Sequence, residues 1–339
     1  MKNSSGGRLS APWIIFLIVF PIVLSIIALG SGRIWITPVD TIKAIISKIT
    51  GQQLVDKMVM STIVNIRIPR ILLALLAGMG LSCAGCAFQS LFANPLATPD
   101  TLGVASGASF GAAFGILIGF KMLGIQITSF IFGAAAVLMT WAAGSGRGKG
   151  LSSVVLSGIM IGSLFSALVS LIKFVADAES QLPAITYWLM GSLSNASYES
   201  LIYGAPPILL GICVLFLLRW RMNLLPLSED EARSSGVNIK RLRAVTVICA
   251  TLMTASCVSM CGQVGWVGLL VPHMCRMKFS SNHMSLVPAS ISFGASFMLI
   301  VDTIARSVSA ADIPISILTA IIGAPFFIYL MRKSGGWQL

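Results

Sequence analysis

Acidic side chains are scarce in this chain: 11 of 339 residues are Asp or Glu, and between Arg70 and Asp100 no charge of either sign occurs for 29 residues. Charged residues make up 10% of the whole, against about 25% in soluble domains. With 56% hydrophobic residues and a mean hydropathy of +0.92, that deficit excludes a soluble globular protein. The shortage of acids in the apolar stretches argues further against an ion-coupled carrier, which buries carboxylates or other ion ligands mid-membrane. Asp302 stands out in the last third, near a predicted helix end. Histidine is also rare. His273 and His283 belong to neither an H-E-x-x-H helix nor a triad, so no catalytic, cofactor or metal site is expected. Residues 144–150 superficially suggest a P-loop, but Lys149 is followed by Gly150 where a Ser or Thr must hold magnesium, and no strand precedes it. No basic run lies beside aromatic stacking residues, so the net charge of +12 does not indicate nucleic acid.

What is present is a series of apolar stretches. They cover 11–32, 71–99, 101–120, 122–146, 150–172, 201–218, 244–275, 279–301 and 313–331. A span needs about 20 apolar residues. The 244–275 stretch is too long for one crossing and carries Gly262, Gly265, Gly268 and Pro272 as breaks. Ten spans result, predicting an all-α, polytopic membrane protein with one membrane domain over residues 1–339. The first stretch, with Lys2 and Arg8 before it, resembles a signal peptide, yet its apolar part exceeds the 7–15 residues of a cleaved one. It is read as a retained helix.

With both termini cytoplasmic, 14 of the 23 Lys and Arg residues fall inside, following the positive-inside rule. Six others crowd into one outside segment, Arg33 to Arg70, against the rule. The seven cysteines, including the Cys83–Cys86 C-x-x-C, lie almost wholly within spans and are expected to pack as small apolar residues. Gly103, Gly107, Gly111 and Gly115 recur every fourth residue and predict a close helix–helix contact on the third span. Arg67 and Arg70 before Ser82-Cys83, and Arg241 and Arg243 before Ser256-Cys257, form a faint echo between the second and seventh spans, which cross in opposite directions. Inverted repeats of that kind are common in transporters.

Two outside segments look structured without spanning. One is an amphipathic helix at 37–49, with Val39, Ile42, Ile45, Ile46 and Ile49 on one side. The other is a short apolar, re-entrant or interfacial helix at 182–193. Inside, the loop at about 220–243 carries a capping box, Ser228 with Glu231, reinforced by Glu229 and Asp230. Gly236 should end that helix, and a second short helix should lead through Lys240 into the seventh span. An exposed helix pair of this type is a docking element or a solvated turn.

Several blocks then occur in a fixed order: Arg67-Ile68-Pro69-Arg70, Gln89, Asn94-Pro95-Leu96-Ala97-Thr98-Pro99 and Leu102-Gly103. Trp188-Leu189-Met190-Gly191-Ser192 follows, then Gly265-Trp266-Val267-Gly268-Leu269-Leu270-Val271-Pro272-His273 and Gly323-Ala324-Pro325-Phe326-Phe327. In these blocks the chain resembles, over nearly its whole length, the FecCD-type permease subunits of ATP-binding-cassette (ABC) importers for iron–siderophore complexes, haem and cobalamin. The resemblance implies a ten-helix type II importer fold with an inverted repeat in the bacterial cytoplasmic membrane. It also implies a dimer with a second copy or a homologue, two ATPase subunits that hold ATP and magnesium, and one extracytoplasmic binding protein. The chain itself would then carry no cofactor and no ATPase site. By the same resemblance Arg67, Arg70 and Arg306 would meet glutamates of the binding protein, for which Arg's bidentate fork is suited. Snorkelling anchors are the alternative, and Asp302 could pair with Arg306 one turn on. Ser228, Glu229, Asp230, Glu231, Ala232, Arg233 and Gly236 match the loop that couples to the ATPase, with Arg233 replacing the family's second Ala. Asn94 and Leu96 match the cytoplasmic gate. Ser157, Ser163, Ser316 and Thr319, on the fifth and tenth spans, are candidates to line the path. The expected function is import of an iron chelate or cobalamin, with an oxyanion such as molybdate as alternative cargo and an ion-coupled carrier as the rival class.

Overall fold

The computed structural model describes residues 9–145, 151–228, 231, 234–309 and 312–333. Lys2, Arg8, Arg147, Lys149 and most of the glycine-rich 144–150 turn lie outside the described residues, as do Glu229, Asp230, Ala232 and Arg233. The described backbone is helical throughout, without strands.

All ten predicted spans are helices. They are α1 (Ala11–Gly30), α3 (Lys57–Leu91), α4 (Val104–Leu117), α5 (Met122–Gly144), α6 (Leu151–Val175), α8 (Tyr198–Leu218), α9 (Ile239–Cys261), α10 (Val267–Phe279), α11 (His283–Val308) and α12 (Ile315–Lys333). Seven are long and apolar enough to cross a membrane, whereas α4, α10 and α12 are shorter. Two non-spanning helices, α2 (Pro38–Thr50) and α7 (Gln181–Leu189), complete the set.

Local chemistry sets the ends. Thr37 caps α2 by accepting from the Asp40 amide at 3.1 Å, and Gly51 closes it at φ 73°. Asn238 caps α9, accepting from the Arg241 amide at 3.0 Å, and Asn282 caps α11 through the Met284 amide at 2.9 Å. The expected second short helix before α9 is absent: residues from Ile239 already belong to α9, whose first turn Asn238 starts. In α3, residues Thr62–Arg67 form a π-helical stretch just before Pro69. Proline cannot donate to the preceding turn, and a widened turn relieves its clash with it.

α3 is the hub. In its spanning window 83% of residues are buried, against 11% for α1, which lies on the outside of the bundle. α3 packs on α8, α9, α10 and α11. Cys257 Sγ of α9 sits at Ala77 of α3, and Met253 beside Gly80, so these two helices pass antiparallel. The glycine stripe of α4 seats against α5: a Cβ at Gly111 would lie 2.3 Å from the Thr128 carbonyl oxygen. Small residues thus bring the two backbones together. Six cysteines are buried and Cys213, on α8, is exposed.

One expectation needs correction. Gly262 and Gly265 do break the 244–275 stretch, but Gly268 and Pro272 lie within α10. In α2 the packed face is Thr41, Ala44 and Ser47, while Val39, Ile42 and Ile49 are exposed. The small residues fit the protein; the apolar stripe faces away from it, as on a helix at a membrane surface.

Candidate translocation site

Two turns interrupt the helices at depth. Residues 92–103 link α3 to α4, and Gly262–Trp266 links α9 to α10. Gly268, at the start of α10, packs on Leu81 and Gly85 in the body of α3. Non-helical backbone is tolerated at membrane depth only where it is buried in protein or lines a cavity. Here a cavity of about 440 Å³ lies between the two turns, lined among others by Thr98, Asp100, Gln263, Trp266 and Ser316. The Asp100 carboxylate accepts from the Ala105 and Ser106 amides, complementing the N-terminus of α4.

Motif blocks far apart in sequence, those at 94–99, 188–192, 265–273 and 323–327, converge around this cavity. α7 dips inward from the outer end of α4, where Gln181 donates to the Leu117 carbonyl at 2.9 Å. It reaches the level of Ala105 and Ala108, against which Trp188 packs. The following turn receives α12: Ile315 donates to Gly191 O at 3.0 Å, and Ser316 Oγ lies 2.6 Å from both Met190 O and Gln263 O. Trp266 holds φ 69°, a conformation costing of order 1–3 kcal/mol in a non-glycine residue. Its ring closes on Gly323, where an added Cβ would meet it at 2.9 Å. One turn inward, His273 and Phe327 stack edge-on at 5.4 Å.

Of the four path candidates, Ser316 alone is among the cavity-lining side chains. Thr319 is fully buried and donates to Ser316 O at 3.2 Å. Ser157 is buried, whereas Ser163 is exposed on α6 and bonded to Ile159 O at 2.8 Å. Six residues along a helix turn through about 600°, so Ser157 and Ser163 cannot share a face.

At the end of the bundle that carries the 220–243 loop, Asn94 and Leu96 sit in an exposed turn closed by the Asn94 carboxamide, which accepts from the Leu96 amide at 2.9 Å. Ser90, just before it, donates to Met222 O at 3.0 Å, joining that turn to the 3₁₀ turn Arg221–Leu224 of the 220–243 loop. Asn223 continues the link, accepting from the His283 amide at 2.9 Å at the start of α11. Gln89 bridges Arg276, at 2.9 Å, and the Gly268 carbonyl, at 3.4 Å. Sequence reasoning noted Gln89 but missed Ser90, Asn223 and Arg276, which only the fold brings together. In the loop itself the capping box is formed: Ser228 Oγ lies 2.8 Å from the Glu231 carboxylate, which also accepts from the Ser228 amide at 3.0 Å. Those bonds hold the Glu231 carboxyl below its usual range. Gly236 takes φ 72° at the end of that turn.

At the opposite end of the bundle the three arginines are turned inward. Arg67, Arg70 and Arg306 are 5–6% exposed. Arg67 donates to Leu29 O and Ile34 O, and Arg306 to Ala28 O, gripping the last carbonyls of α1 and the segment beyond. Arg70 pairs with Asp302 at 2.7 Å and Asp312 at 2.6 Å. Arg306 also meets Asp302, as its one-turn spacing suggested, at 3.5 Å. A guanidinium at this depth is stable only when paired and hydrogen-bonded, and the acids and helix-end carbonyls supply both. Arg33, paired with Asp312 at 3.9 Å, keeps about half its side chain exposed.

A polytopic bundle with interrupted helices around a central cavity is the architecture of a membrane transport protein. The chain belongs to the FecCD transport family, which it matches over residues 18–333, and is an ABC importer permease, a multi-pass membrane protein. It is 38% identical to the molybdate import system permease of Haemophilus influenzae, over 96% of this chain and 98% of that protein. It is 35% identical to the Fe(3+)-citrate import system permease of Bacillus subtilis, over 94% of each. Among solved structures it is similar to a metal-chelate-type ABC transporter in an inward-facing conformation, with a TM-score of 0.85 and 39% identity over 95% of this chain and 99% of that one.

Proposed function

We propose that this chain forms the translocation path for a metal chelate, an iron–siderophore complex, haem or cobalamin, delivered by an extracytoplasmic binding protein. Two copies, or one copy and a homologue, pair through the exposed apolar faces of α6 and α12, where Met160 and Ile321 are each 64% exposed. Two ATPase subunits, holding ATP and magnesium, engage the inner loop at 220–243, including Ser228, Glu229, Asp230, Glu231, Ala232, Arg233 and Gly236. Both termini lie on that side. Closure of the ATPase pair pushes the loop, and the Ser90 and Asn223 bonds carry the push to the Asn94–Leu96 gate turn and to α11. Outside, the acidic surface of the binding protein meets the exposed Arg33, Lys43, Lys48 and Lys57, while Arg67, Arg70 and Arg306 hold the platform beneath them. The path needs no tight solute site, and none of Ser157, Ser163, Ser316 and Thr319 adds charge to it.

The family match over residues 18–333 carries this reading. Molybdate is the second reading, favoured by the Haemophilus influenzae relative. The test is uptake into proteoliposomes holding this chain with its ATPase and binding protein, using ferric citrate, haem, cobalamin and molybdate in turn. Uptake of one of them should require ATP and the binding protein. Accumulation by this chain alone against a gradient would overturn the proposal.

A further inference from the structure

Between α1 and α8 the bundle leaves an open groove of about 840 Å³, floored by α3 and α11 and almost entirely apolar. It runs from Leu9 and Arg219 at one end to Ser25 toward the other. The fifteen residues of α1 from Ala11 to Ser25 correspond to about 21 Å of rise. Half of the roughly 30 Å hydrocarbon core, the depth of one leaflet, fits within that length. The groove offers no free hydroxyl along its course: Ser25 Oγ is bonded to Pro21 O at 2.7 Å and Ser292 Oγ to Leu17 O at 2.5 Å. Among the described lining residues its one cation, Arg219, stands at the mouth. The guanidinium lies 4.1 Å above the Phe216 ring and spends one N–H on Phe216 O. The other donors of its five remain for an anion, and a planar guanidinium suits phosphate oxygens.

We propose that this groove is a phospholipid site, with one acyl chain lying along α1 past Met79 and Ile212 and the lipid phosphate on Arg219. A long apolar slot with a single terminal cation matches an acyl chain with a phosphate at its end, and its open side faces the bilayer that supplies such molecules. The lipid supplies the contact that α1, packed mainly on α11, lacks toward α8.

The test uses the full chain in phosphatidylcholine vesicles doped with a diazirine-acyl phosphatidylglycerol, with crosslinked peptides mapped by mass spectrometry. Labels should concentrate on the groove side of α1, on Met79 and on Ile212, rather than on α5, whose Ile127, Ile131 and Leu138 are also exposed. Arg219→Glu should lower groove labelling about tenfold, the loss of one charge-assisted bond, and leave labelling elsewhere unchanged. Because that variant could misfold, the unmodified protein is also labelled with a diazirine diacylglycerol, which lacks the phosphate and should label the groove about tenfold less. Labelling spread evenly over the exposed helices, or equal groove labelling by the two probes, would overturn the proposal. So would crosslinks through α1 to a second copy, which would make the groove a protein interface.

Discussion

Two sets of cations, at opposite ends of this bundle, are held in opposite ways. At the outer end Arg67, Arg70 and Arg306 are buried, and their partners come from α1, α11 and the segment before α12. At the inner end Arg221, Lys240 and Arg241 are exposed, and the loop between them is organised mainly by bonds within itself. Buried charge fixes geometry, because an unpaired ion in that setting is costly. A self-capped exposed turn can move as a unit without leaving any buried group unpaired. The end closed by the buried arginines is therefore fixed, and the end carrying the loop is freer to shift.

The largest test of that contrast is Arg70→Leu, which strands Asp302 without its closest partner. Removing one member of a buried pair costs about 3–5 kcal/mol, read as a lower unfolding temperature in detergent, and Arg70→Leu with Asp302→Leu should recover part of it. Arg67→Ala comes next. It frees the last turn of α1 and residues 31–36 at a cost of about 1.5–3 kcal/mol for bonds to a charged group, seen as faster amide exchange there. At the inner end Ser90→Ala removes one neutral bond, about 1 kcal/mol, with little change in unfolding temperature. It should instead lower solute moved per ATP roughly tenfold if the bond carries coupling between loop and gate; an unchanged ratio would show that the link is passive. Glu231→Lys should uncouple ATP hydrolysis from uptake and open the capping box locally, with little change in unfolding temperature.

The smallest effect is a pH dependence. The Glu231 carboxyl is held below its ordinary value by Ser228. Its bonds are therefore fully present above the ordinary glutamate pKa and fade as pH falls through the lower folded value. Exchange of the Ser228 amide should quicken across that interval in the native protein and show no such step in Ser228→Ala.

The ten helices were legible in the sequence because apolar length is itself the signal, and so was the α4–α5 contact, because a glycine every fourth residue has few other uses. The capping box at Ser228 and Glu231 was equally plain, being a local pairing three residues apart. The fate of the arginines was not. Asp312, the partner of Arg70, lies 242 residues away, and the Leu29 and Ala28 carbonyls that hold Arg67 and Arg306 carry no mark in the sequence, since every residue has one. Hydrophobic pattern marked α2 as amphipathic without telling which face packs: its small residues meet the protein and its apolar ones point away. The convergence of Gly191, Trp266 and Gly323 around one cavity was invisible until the chain was folded, although each lay in a recognisable block.

The distribution of thiols has a practical outcome. Six of the seven cysteines are sealed inside the bundle, leaving Cys213 on the lipid-facing side of α8, next to Ile212. A membrane-permeant maleimide fluorophore should therefore attach at this position alone, giving a reporter of events beside α1 without any engineered mutation.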